Sequence, residues 1–405
     1  MIDRYTTSEI STVWSEDFKL NAWLKIEELA CIGWELLGVI PTGASNALSD
    51  LEVSNFDMKR LSSIEREVKH EFLAFLTYVN ELTPQEHNRF YHRGLTSSDV
   101  LDTTFSFQLR TAGLIILEEV KLFIQTLREK AIKHKYTPMI GRSHGMYGEP
   151  ITFGLCLATY YSEWQRNADR LEKAIEEISY GQISGPMGNY TALDPKVEEY
   201  VCKSLGLKVE PISTQVIPRD RYANFFMVLG LMGSSMERLA TMVRNLQQSS
   251  IGELGEEFTE GQKGSSSMPH KKNPISSENL CGIARLLRSY ITPSLENIPL
   301  WYERDMSHSS VERVIAPDAT HLAHYGIRRM NSVMKGLEVN KSKMLEHLNE
   351  AQYWTQLVMI KYTDEGLSRE EAYEKAKEST SGSLDMGLGS ILKHTDMVFT
   401  RLGLK

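Results

Sequence analysis

Four cysteines stand in the 405-residue chain, at Cys31, Cys156, Cys202 and Cys281, and no two form a C-x-x-C pair. That scatter, with a mostly polar N-terminus that lacks a secretory leader, predicts a reduced, cytoplasmic protein. Basic residues are outnumbered 45 to 53, a net charge of −8. A broad nucleic-acid-binding face is therefore not expected, and an anion site must be a local concentration of cations. No segment approaches the ~18 consecutive apolar residues of a membrane span, because even the greasiest runs carry charges at helical spacing. Neither G-x-x-x-x-G-K-[ST] nor G-x-G-x-x-G occurs, which disfavours a P-loop enzyme and a dinucleotide enzyme, and a serine hydrolase of the nucleophile-elbow type is not expected. Period-two alternation is scarce. His321 and His324, three residues apart, have no further ligand set, so they read as a helix face and no metal is expected.

What the chain has is helical periodicity. Val100, Leu101, Phe105, Leu109, Ile116, Val120, Phe123, Ile124 and Leu127 recur at steps of three and four, predicting one long helix from about Ser98 to His134. Similar patterns run from about Ile151 to Ser179, Arg221 to Ile251, Ser276 to Ile291 and Val311 to Met334. The expected fold is all-α, with an N-terminal region at 1–94, a central long-helix region at 95–345 and a short C-terminal region at 346–405. Apolar residues such as Tyr222, Phe225, Phe226, Val228, Leu229, Leu231 and Met232 cover several faces of one helix. Either subunits share a bundle, or that helix is buried within one chain.

One stretch breaks the periodicity. Gly264-Ser265-Ser266-Ser267-Met268-Pro269-His270-Lys271-Lys272-Asn273-Pro274 gathers hydroxyls, cations and an amide around two prolines, which block regular hydrogen bonding. Such a loop suits an anionic ligand. It also resembles G-S-S-x-M-P-x-K-x-N-P, the signature of the fumarase/aspartase superfamily, lyases that release fumarate by breaking a C–N or C–O bond. The resemblance extends from Arg4-Tyr5 to Arg401-Leu402-Gly403-Leu404, and its details are similar to the adenylosuccinate lyase branch.

That resemblance implies a homotetramer built on a central helical bundle, with active sites shared between subunits and no cofactor. It implies β-elimination of fumarate from adenylosuccinate to give AMP, and from SAICAR to give AICAR. Ser265 corresponds to the general base and His144, in Gly141-Arg142-Ser143-His144-Gly145, to the general acid. Composition does not distinguish Ser265 from Ser266 or Ser267; the family position does. Lys271 and Asn273 would stabilise the charge that develops on the substrate carboxylate, and Glu278 would orient the acid. For substrate binding the resemblance points to Lys69, His70 and Glu71, to His92, Thr96 and Ser97 before the long helix, and to Ser143, Gln215 and Arg219. Asp99 or Ser98 has the alternative role of a helix cap. Arg4, Tyr5, Arg304, Ser309 and Arg313 match the set that grips a nucleotide phosphate, a ligand suited to arginine forks.

The sequence departs from the pattern in places. Ser143 stands where threonine is usual, Tyr147 where a second histidine is common, and Lys69 and Glu71 where arginine and aspartate flank the histidine. The region after Tyr373 is shorter than in typical bacterial relatives. Two alternatives remain at this point: another superfamily lyase, such as one acting on argininosuccinate, or a helical scaffold without catalysis.

Overall fold

The computed structural model describes residues 1–380 and 387–404, and helices dominate it as the periodicity predicts. Those that matter here are α1 (Glu16–Leu36), α2 (Met58–Val68), α3 (Glu71–Leu82), α4 (Ser97–Lys133), α5 (Phe153–Ile178), α6 (Asp220–Leu246), α7 (Ile275–Ser289), α8 (Ser307–Lys335) and α9 (Lys341–Glu350). Their ends have local causes. Ser15 accepts the Phe18 amide at 3.1 Å at the start of α1, with Glu16 and Asp17 in the first turn complementing the helix dipole. Asp57 caps α2 through the Lys59 and Arg60 amides, and Lys69 stops it in the left-handed conformation at φ 53°. Pro317 lies inside α8, so proline does not end that helix.

Packing divides the chain into two compact units: Met1–Glu119, Asp169–Gly233 and Ala284–Tyr325 form the first, and Val120–Ala168, Ser234–Ile283 and Gly326–Lys405 the second. The core of the first gathers Trp23 against the edges of Phe72 and Phe75, at centroid distances of 5.3 and 5.5 Å. Each such buried ring stabilises the fold by about 1.5–3 kcal/mol relative to an exposed one. In the second, Phe123 meets Trp164 edge-on at 4.8 Å, and Thr126 donates to Asn331 at 2.6 Å.

One element differs from the helical reading. Strands β1 (Pro138–Ser143) and β2 (Met146–Thr152) pair antiparallel, and β2 takes in Ile151, where the periodicity predicts the start of a helix. Thr152 explains the difference: its hydroxyl accepts the Leu155 amide at 3.0 Å, so the helix starts at the residue after it. The pairing shifts register between Ile140 and Arg142, a bulge beside Gly148. Two-residue ladders join Tyr180–Gly181 to Lys208–Val209 in the first unit and Leu254–Gly255 to Glu338–Val339 in the second.

Candidate active site

The first unit carries a set of binding groups wired by buried acids. His92 has φ 54° and Gly94 φ 80°, and a Cβ on Gly94 would meet the Ala192 carbonyl at 2.4 Å, so the chain turns here by a route that needs glycine. Glu27 on α1, 1% exposed, accepts both the His92 amide at 2.8 Å and the His92 Nδ1 hydrogen at 2.7 Å. The ring is thereby fixed, and its Nε2 is left for other contacts. Further along, Asp99 accepts the Thr96 amide at 2.8 Å, the returning half of a capping box, and also the amides of Ser184 and Gly185. Burial pushes the Asp99 carboxyl up to about 6 despite these donors. Ser184 Oγ in turn meets Ser213 Oγ at 2.8 Å, and the Gln182 side-chain amide donates to the Gln215 carbonyl at 2.8 Å. One buried carboxylate therefore ties the Thr96-Ser97 turn to the segment that leads to Gln215.

A cavity of about 370 Å³ opens beside this network, lined by Trp14, Lys19, Trp23, Glu71, Arg219, Arg304, His308, Ser309, Glu312 and Arg313, among others. Arg219 is fully committed to its own surroundings. It forks onto Asp102 at 2.5 and 2.9 Å and reaches Glu312 at 3.2 Å, with its side chain 1% exposed. Burial opposes its charge, but Asp102 and Glu312 outweigh that and hold it protonated. Arg219 thus shapes the wall, while Arg304 is the open cation. Arg304 donates to two neutral groups, Gln215 Oε1 at 3.1 Å and Met306 Sδ at 2.8 Å. Asp305 fixes the loop beside it by accepting the Ser307 and Trp301 amides, both at 2.7 Å; its hydrogen bonds from Ser307 hold the carboxyl down at about 2. Burial lowers the His308 imidazole to about 4, so it stays neutral near pH 7. Burial likewise raises Glu312 to about 7, with Arg219 pulling the other way. Glu71 and Arg313, far apart in sequence, meet at 2.8 Å, and Lys19 pairs with the same carboxylate.

Other expected residues sit at the margins of the unit. Lys69 and His70 form the exposed corner between α2 and α3, where His70 Nδ1 accepts the Leu73 amide at 3.3 Å. Arg4 is exposed, and Tyr5 lies edge-on to Tyr325 at 5.2 Å. His321 and His324 hold the N-terminal segment: Nδ1 of His321 accepts the Thr7 amide at 3.2 Å, and Nδ1 of His324 meets the Thr7 hydroxyl at 2.8 Å. That is a packing role, and no group of three or more metal-binding side chains occurs among the described residues.

The second unit carries the hairpin and the signature loop. Ser143 pairs with Met146, leaving His144 and Gly145 as a two-residue turn with φ 55° and 78°, the primed geometry that hairpins favour. His144 is exposed at its tip, and no hydrogen bond joins it to Glu278, exposed in the first turn of α7. The loop is anchored at its neck. Asn273 donates to the Gly264 carbonyl at 2.9 Å, and a Cβ on Gly264 would stand 2.1 Å from the Lys271 carbonyl. Gln247 donates to the Lys272 carbonyl at 3.2 Å and accepts the Glu256 amide at 2.9 Å. Glu256 in turn accepts the Ser276 and Ser277 amides, capping α7. Beyond the neck the side chains face outward. Ser265 Oγ accepts the Met268 amide at 3.1 Å and the Ser267 amide at 3.3 Å, two donors suited to negative charge on that oxygen. Ser266 and Ser267 are exposed. His270, Lys271, Lys272, Asn273 and Glu278 border an open groove of about 1070 Å³.

The supporting acids Glu27, Asp102, Glu253, Glu256 and Glu312 escape a sequence reading because nothing local sets them apart from the other carboxylates of the chain. The one legible sign is Asp99 and Asp102, one helical turn apart at a start that is otherwise apolar at Val100 and Leu101.

Residues 3–287 match a family described as lyase. The adenylosuccinate lyase of Bacillus subtilis (strain 168) is 41% identical over 433 aligned positions that span the whole of both chains. That of Thermotoga maritima is 44% identical over 92% of this chain and 86% of its own length. Among solved structures, the 3-carboxy-cis,cis-muconate lactonizing enzyme of Pseudomonas putida superposes with a TM-score of 0.84 at 24% identity, covering 98% of this chain and 90% of its own; that likeness speaks for the fold alone. Identity of 41% from end to end is far more than a shared helical architecture requires, and the chain belongs to the lyase family, in its adenylosuccinate lyase branch.

Proposed function

We propose that the protein eliminates fumarate from adenylosuccinate to give AMP, and from SAICAR to give AICAR, through a base at Ser265 and an acid at His144. The Ser265 alkoxide takes the proton from the succinyl Cβ. The C–H electron pair first spreads into the neighbouring carboxylate as a dianionic aci-carboxylate and then forms the C=C bond of fumarate. The C–N pair leaves with the purine or carboxamide nitrogen, which takes its proton from His144. An unassisted serine hydroxyl is far too weak a base, so its anion needs donors already in place. The observation that carries the reading is the pair of backbone amides on Ser265 Oγ, just beyond the neck of a loop that also carries Lys271 and Asn273. Glu278 is the orienting carboxylate for His144, brought to it in the assembly.

In the first unit, Arg304, Ser309 and Arg313 at the cavity suit a nucleotide phosphate, with Arg4 and Tyr5 completing the set. Thr96 and Ser97, with Ser143, His92 and Gln215, suit the succinyl carboxylates. Lys69, His70 and Glu71 form the corner that approaches the ligand, and Arg219 holds the wall behind it. The sites are shared between subunits of a homotetramer in the cytoplasm. Support for association comes from apolar side chains left uncovered on the long helices, such as Leu122 at 56% and Leu231 at 43% exposure. No helix among the described residues is long and apolar enough to cross a membrane.

The test is the ultraviolet absorbance change of adenylosuccinate with purified protein, with AMP and fumarate confirmed chromatographically and argininosuccinate run in parallel. Turnover of argininosuccinate alone would move the chain to a different branch, and silence on both substrates would return it to a scaffold. Mixing Ser265→Ala with His144→Ala protein tests the shared site: activity returns after subunit exchange if motifs from different subunits meet.

A further inference from the structure

His144 has no hydrogen bond of its own within the described residues, so its direction is set by the hairpin that carries it. The base of that hairpin is held by a buried charge cluster. Next to the bulge, Arg142 turns inward and donates to Glu253 at 2.5 and 3.1 Å. Glu253 is 0% exposed, and its Oε1 also lies 2.7 Å from Nδ1 of His347 on α9. A carboxylate only accepts, so Nδ1 of His347 carries the hydrogen. The backbone of Glu253 is equally committed: its amide donates to Leu246 at the end of α6, and its carbonyl accepts the Asn340 amide that precedes α9. On the outer side, the Arg142 guanidinium lies over the Tyr147 ring at 5.2 Å, so both strands of the hairpin are clamped within a few residues of the turn.

A buried ion pair is a poor source of net stability, because desolvation cancels much of the attraction. Such a pair does fix geometry: a bidentate guanidinium–carboxylate contact allows one orientation, and losing it frees the strand. We infer that Glu253, with Arg142 and His347, is a positioning residue for the elimination, aiming the hairpin so that His144 meets the leaving nitrogen. The inference rests on the acid role given to His144.

A kinetic cycle tests it. Glu253→Gln keeps the side chain's shape and removes its charge. Misplacing a catalytic group by about 1 Å costs up to ~100-fold in rate, so kcat should fall roughly 10- to 100-fold while KM moves less than about threefold. Hydrogen exchange in the peptide spanning 138–152 should quicken. Because Glu253 acts through His144, the Glu253→Gln/His144→Gln double variant should be no slower than His144→Gln alone. Multiplied losses in the double variant, or unchanged kcat in Glu253→Gln, overturn the inference. A His144→Gln variant with wild-type kcat instead removes the acid role itself, which separates the two failures. If Glu253→Gln does not fold, Arg142→Lys, which keeps the charge but loses the fork, is put through the same cycle, and the same results support or overturn the inference.

Discussion

The two units solve opposite problems with the same kinds of residue. In the first, charged groups are paired inside the protein: Arg219 with Asp102 and Glu312, His92 with Glu27, and the Thr96 turn with Asp99. In the second, Ser265, Lys271, His144 and Glu278 have few partners beyond backbone amides, and the anchoring bonds stop at the loop neck. Binding a polyanion rewards cations fixed beforehand, since ordering them on arrival would weaken the complex. Proton transfer rewards groups whose donors and acceptors are still unspent, because an acid or base already satisfied by its own chain has less drive to react. Stability should therefore reside in the first set and rate in the second, and substitutions can separate the two.

The largest effect on rate is expected from Ser265→Ala. Loss of the base should lower kcat by roughly a thousandfold or more, with unfolding free energy within about 0.5 kcal/mol of wild type. Stopped-flow turnover and urea titration on one preparation check both halves, and an active Ser265→Ala protein would break the comparison outright. Asp102→Asn should do the reverse. It strands the buried Arg219 guanidinium and should cost about 3–5 kcal/mol by denaturant titration. A loss below about 1 kcal/mol would mean that the first unit is not held by its paired charges.

Gly264→Ala sharpens the contrast, because a Cβ there must displace the Lys271 carbonyl. A roughly tenfold fall in kcat with little change in melting temperature is expected, as for a shift that misplaces reacting groups without opening a core. The smallest effect is a tilt in stability with pH. The Glu312 carboxyl is raised from its ordinary 4.5 to about 7 by burial, so the folded protein keeps a proton that the unfolded chain has released. Its contribution is complete below pH 4.5 and lost as the pH rises through about 7. Subtracting the Glu312→Gln curve from wild type should reveal that loss, and parallel curves would show that Glu312 titrates normally.

Much of the fold is legible because long helices announce themselves. The pattern through Val100, Leu109, Ile116 and Leu127 places α4 within a residue of its ends. Leu246 ends α6 earlier than the periodicity predicts, since Gly252 turns at φ 61° to bring Glu253 back toward the helix end. The hairpin is hidden because its strands are short and glycine-bearing, and its pairing is not a periodicity of either strand. The signature loop and the histidine motif are recognisable as words. What the sequence conceals is which charges are consumed internally: Arg219 and Arg304 look alike in sequence, yet one is spent on two carboxylates and the other donates to a neutral amide and a thioether. That distinction is made by residues distant along the chain, Asp102 for the first and Gln215 for the second.

Five non-glycine residues adopt a left-handed backbone among the described ones, and Lys69, His92 and His144 are three of them. Each is held at about 1–2 kcal/mol above a relaxed conformation. Glycine or asparagine would relieve that strain, so a selection for thermal stability alone should drift toward those residues at the three positions. A selection for turnover should keep the imidazoles of His92 and His144. The same short list of positions would then record which pressure a population had been under, with durability and chemistry leaving different residues at one backbone angle.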